Sequence, residues 1–127
     1  MSEVKLRSRI LARGLERPAE KILAMHHDYA SARARFREAA NDVVTNVPNL
    51  AIMIRSTDLT ITLPMGGWIV FGVWDRIDIR KWRGLVVQTL WTDDLSPNVA
   101  AEVQAILGPR VRPLIKPVYT GDESGVK

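Results

Sequence analysis

The chain has 127 residues, of which 46% are hydrophobic and 25% charged, a globular balance that excludes wholesale disorder and makes one domain the natural expectation. With 0 Cys it has no disulfide framework, thiolate metal site or cysteine nucleophile, and its 2 His, adjacent at His26 and His27, leave a zinc site without evident ligands. The net charge of +4 is carried by residues 1–40, while the remainder balances; arginine outnumbers lysine 13 to 5, so bidentate grip on a phosphate or carboxylate is open to it.

Ser2 is placed to cap a first helix from Glu3 to Glu16, with Val4, Ile10, Leu11 and Leu15 toward one side. Pro18 suits the first turn of a second helix. Ile22, Met25, Tyr29, Ala32, Phe36, Ala39 and Val43 follow at alternating steps of three and four, and neither Pro nor Gly interrupts Ala19–Val47. The spacing predicts a long helix of roughly 25 residues, laid against its own domain or forming a coiled-coil seam with another chain.

After Pro48 the period changes to two. Leu50, Ile52 and Ile54 alternate with Ala51, Met53 and Arg55; Leu59, Ile61 and Leu63 alternate with Thr60 and Thr62. Pro64-Met65-Gly66-Gly67 reads as a turn. Trp68–Trp74 is almost wholly apolar, which suits a central strand covered on both faces. Leu85–Trp91 completes a predicted four-stranded antiparallel meander. Ser96, Pro97 and the Gly108-Pro109 stop delimit a third helix, with Val99, Val103, Ile106 and Leu107 as its apolar face. Prolines 109, 113 and 117 then make residues 109–127 an extended basic tail. The expected fold is α+β: two N-terminal helices, the meander, a C-terminal helix and the tail, with residues 1–108 as the domain.

Chemistry is sparse. His26-His27-Asp28-Tyr29 is the one run resembling a catalytic set, but on a helix the two imidazoles diverge. Asp93-Asp94 sits before the third helix, where carboxylates favour the positive helix end. Gly66-Gly67 is too short for a phosphate cradle, and no serine has a nucleophile-elbow context. No catalytic residue, metal or cofactor is assigned.

These features point to a non-enzymatic protein–protein interaction module, a structural or accessory component of a larger assembly such as a phage particle, or a small inhibitor of a host machine. A homo-oligomer is the other form such a partnership would take. Its candidate interface residues are Ile22, Met25, Tyr29 and Phe36 of the seam, Trp82 between cations, and Leu114, Ile115 and Tyr119 of the tail. The alternative is a basic nucleic-acid-binding protein using Lys5, Arg9, Arg13, Arg80, Lys81, Trp82 and Arg83, the first three lying one helical turn apart. A metal-independent RNase-like toxin comes third. No run is long and apolar enough for a membrane span, and neither a signal peptide nor cysteine is visible, so the expected location is the cytoplasm or a virion.

Overall fold

The structure, a computed structural model, describes residues 6–74, 87–107 and 116–118. Helix α1 runs from Arg9 to Glu16, starting later than the Glu3 expected from sequence. Ser8, rather than Ser2, is the cap: its hydroxyl accepts the Leu11 N–H at 3.1 Å.

Lys21–His26 is a strand, β1, and the long helix expected over Ala19–Val47 is confined to α2, Tyr29–Asn46. Ile22-Leu23-Ala24-Met25 is a continuous apolar run because β1 is covered on both faces. The three-residue step from Ile22 to Met25 imitates helical spacing, yet on the strand these two side chains enter opposite cores. Asp28 separates the elements: its backbone is extended and its carboxylate accepts the Ser31 N–H at 2.8 Å, capping α2.

The remaining elements are β2 (Met53–Arg55), β3 (Thr60–Thr62), β4 (Trp68–Val73), β5 (Thr89–Trp91), α3 (Pro97–Leu107) and β6 (Lys116–Val118). They form one six-stranded mixed sheet in the order β2-β3-β4-β1-β5-β6. Strands β2, β3 and β4 are antiparallel neighbours, as the meander required. The fourth predicted strand departs from it. Strand β1 occupies the free edge of β4, in parallel, with Ile22 opposite Ile69 and Ala24 opposite Phe71. Strand β5 therefore lies beyond β1, also parallel, with Ala24 opposite Trp91. The stretch between β4 and β5 is long enough for the crossover that such an arrangement needs. Part of the expected extended tail joins the sheet as β6, parallel to β5.

Two cores flank the sheet. Ile10 and Leu11 of α1 and Ala32, Phe36, Ala39 and Val43 of α2 pack on Ile22, Ala24, Ile69, Phe71 and Trp91. Leu95, Ala100 and Val103 pack on Leu23, Met25, Val87 and Leu90 of the other face. The seam read from Ala32 to Val43 is thus real, and it closes within the chain: Phe36 meets Phe71 edge-on at 5.8 Å. Helix α3 begins at Pro97 as predicted, with the Ser96 hydroxyl accepting the Val99 N–H at 3.4 Å.

A buried carboxylate links the two helices on one face. Asp42 of α2 is 3% exposed and accepts the Ser8 N–H at 2.6 Å and the Asn46 side-chain amide at 3.1 Å. Asp42→Ala should destabilise the fold by about 1–3 kcal/mol, because the Ser8 N–H is left buried without an acceptor. Asp42→Asn, which retains an acceptor oxygen, should lose less, and urea unfolding of the two variants checks this order.

Candidate functional site

Strand β1 is where the chain changes direction across the sheet. From β1 it passes through α2 and the β2–β3 hairpin to β4 on one side, and later to β5 on the other. In open sheets with parallel strands, ligands bind outside the carboxyl ends of the strands at such a switch point. Here that edge holds the two histidines, Asp28, Ser31 and Arg35 of α2, and Asp93 and Asp94 following β5.

His26 ends β1 and is fully buried, stacked on Phe71 at 6.0 Å. Its Nδ1–H donates to the Gly72 carbonyl at 3.3 Å, which assigns the tautomer, since a carbonyl only accepts. Burial pushes its pKa below the ordinary 6.5, against the pull of Asp94 and the Gly72 carbonyl. Its Nε2, together with Trp91 Nε1 and Thr92 Oγ1, is buried without a hydrogen-bond partner among the described residues.

His27 lies one residue on and is exposed. Its Nδ1–H and its backbone N–H both donate to the same Asp94 oxygen, at 2.8 and 3.2 Å. Its Nε2 lies 3.2 Å from Asp28 Oδ2 and 3.4 Å from Ser31 Oγ. The hydrogen bond to Asp94, then that residue's charge, raise the His27 pKa, and the Asp28 charge adds to this. The Asp28 carboxyl is held below its usual range by the Ser31 N–H and hydroxyl, with the His27 charge contributing less. Arg35 approaches Asp93 at 3.8 Å and Glu38 at 3.9 Å.

The two histidines therefore act in opposite directions on stability. His26 binds its proton more weakly in the fold than in the unfolded chain, so its contribution falls as pH drops below 6.5. His27 binds its proton more strongly folded; its contribution is present below 6.5 and is lost as pH rises through its raised pKa. His26→Gln should reduce the acid-side loss between pH 7 and 5, as measured by urea unfolding at the two pH values.

The adjacency of His26 and His27 was legible in sequence, but their setting was not. At a strand end one imidazole enters the core and the other meets Asp94, 67 residues away. The acidic pair Asp93-Asp94 is accordingly more than a helix-end preference: Asp94 meets His27 and Asp93 meets Arg35, both of the β1–α2 segment.

Of the residues expected at an interface, Ile22, Met25 and Phe36 are consumed by the chain's own cores, whereas Tyr29 is 58% exposed beside His27 and Asp28. Trp82, Leu114, Ile115 and Tyr119 lie outside the described residues, as do Lys5, Arg80, Lys81 and Arg83 of the cationic set. Arg9 is exposed and makes an interaction of its own. Arg13 turns to Glu20 at 3.2 Å, with Arg17 at 3.8 Å from the same carboxyl group, which also accepts the Thr89 hydroxyl at 2.6 Å. That network ties the end of α1 to the amino ends of β1 and β5.

Among the described residues no cluster of three or more His, Asp or Glu is arranged to hold a metal ion, and no helix is long and apolar enough to cross a membrane. Compared with known proteins, the chain matches no family model, no curated protein and no solved structure, so the functional reading rests on the geometry of the sheet edge.

Proposed function

We propose that the protein is a non-enzymatic interaction module, an accessory part of a larger assembly, that meets a partner protein with the carboxyl edge of β1, β4 and β5. Such a part would work in the cytoplasm or in a virion. The observation that carries this reading is that His27, Asp28, Asp94 and Arg35 of the edge are engaged in ion pairs within the chain while an aromatic side chain stands out beside them. His27 is held between two carboxylates, Asp94 at Nδ1 and Asp28 at Nε2, so both ring nitrogens face groups of the chain itself. Ser31 is occupied by Asp28, and Arg35 by Asp93 and Glu38. What the edge offers outward is Tyr29, a residue type that dominates interface energetics, rimmed by charge.

The test is affinity capture from the native source with the wild-type chain and with Tyr29→Ala, before and after nuclease treatment. The proposal expects a discrete protein partner that survives nuclease and is lost with Tyr29→Ala. Material removed by nuclease would favour the nucleic-acid alternative instead.

A further inference from the structure

The hydrogen bonds of His27 cross between two segments that the backbone leaves separate. On one side is the turn from β1 into α2, with Asp28 capping the helix and Ser31 in its first turn. On the other is the stretch between β5 and α3, which carries Asp93 and Asp94. Both segments frame the carboxyl edge.

We propose that His27 is a proton-operated latch between these two segments. Protonated, the imidazolium donates Nδ1–H to Asp94 and Nε2–H to Asp28, so one cation ties both carboxylates together. Losing the Nε2 proton leaves the Asp94 bond in place, because that carboxylate can only accept. The Nε2 lone pair then faces the Asp28 carboxylate and repels it. The hydroxyl of Ser31, 3.4 Å away, is the donor positioned to replace it. Ser31 Oγ–H thereby turns from Asp28 to His27, while the Ser31 N–H keeps the helix cap. Asp28, 54% exposed at its side chain, gains an unshared oxygen at the edge.

The other charged groups around the latch set its direction. Asp94 and Asp28 favour the protonated state. His26, immediately before it, is kept neutral by burial and adds little opposing charge. Asp93 is drawn toward Arg35 of α2, so that pair roughly cancels. The consequence for recognition rests on the function proposed above: a partner that contacts Asp28 would meet a different edge in the two proton states.

The latch is tested on the isolated chain, without a partner, so failure to capture one leaves this test unaffected. The imidazole resonances of His26 and His27 and the carboxyl carbons of Asp28 and Asp94 are followed by NMR across the pH range. His27 should titrate above 6.5 and His26 below it. The Asp28 carboxyl carbon and the Ser31 amide should each show a second inflection at the His27 midpoint. In Asp94→Asn the His27 midpoint should move down toward 6.5, with the inflections following it. In Ser31→Ala, which keeps the backbone cap, the Asp28 inflection should persist at an altered midpoint. An Asp28 carboxyl and Ser31 amide that pass through the His27 midpoint without inflection would overturn the proposal. So would a His27 midpoint unmoved by Asp94→Asn.

Discussion

Replacing Phe36 with alanine should lower the free energy of unfolding by about 3–5 kcal/mol, the usual cost of truncating a buried aromatic ring. Phe36 is 4% exposed and stands edge-on to Phe71 of β4. Its neighbours on the inner face of α2 are Ala32 and Ala39, fully buried and too small to fill the space left behind. The cost comes from a packing surface inside one chain, so it should not depend on protein concentration. A urea transition that barely moves would mean that the α2 face is covered in some other way.

Gly67→Ala should be comparably damaging for a different reason. A Cβ at this position would run into the Ala19–Glu20 backbone, at 2.7 Å from both the Ala19 carbonyl carbon and the Glu20 nitrogen and closer still to the Glu20 carbonyl oxygen. The contact is part of how β4 meets β1: the Gly67 N–H donates to the Pro18 carbonyl at 2.9 Å, and the Trp68 N–H to Glu20 at 3.1 Å. A backbone obstacle cannot rotate aside, so the loss should reach about 3 kcal/mol, the upper part of the range for overpacking. Gly66→Ala is the control. Gly66 has φ +91° but open space around it, so the change should cost about 1 kcal/mol from backbone strain alone. Equal losses at the two positions would contradict the close approach of the β3–β4 turn to the entrance of β1.

Much of the secondary structure was legible because its signals are local. Ser96-Pro97 marked the start of α3, and the alternation through Thr60-Ile61-Thr62 marked β3. Strand β1 was not legible, for a physical reason. A parallel strand buried on both faces has no period of two, and the 3–4 spacing of α2 runs on backward through Met25 and Ile22. Asp28 is the residue that could have divided the pattern, as an N-cap followed three positions later by the Ser31 N–H that it binds. Misplacing β1 hid the site as well. On one continuous helix His26 and His27 simply diverge; at the end of a central strand they reach the two sides of the carboxyl edge. The pairing of His27 with Asp94 spans 67 residues and depends on β5 lying beside β1, which short-range patterns do not encode.

The cationic row of α1 teaches the same lesson in reverse. Arg13 and Arg17 share a face as their spacing requires, but Glu20 lies across from them after the chain turns into β1. A stripe that reads as an anion-binding surface is, at Arg13, part of the chain's own ion pairing.

The proposed function makes the carboxyl edge, rather than the outer β2 edge, the recognition surface. The most direct measurement is the affinity of the captured partner for three chains: wild type, Tyr29→Ala and Met53→Ala. Both side chains are exposed, at 58% and 61%, so neither change should disturb the fold. Tyr29→Ala should weaken binding by about 2 kcal/mol, a rise in Kd of about 30-fold, while Met53→Ala should leave it within error. Loss of binding with Met53→Ala and none with Tyr29→Ala would contradict the proposed function.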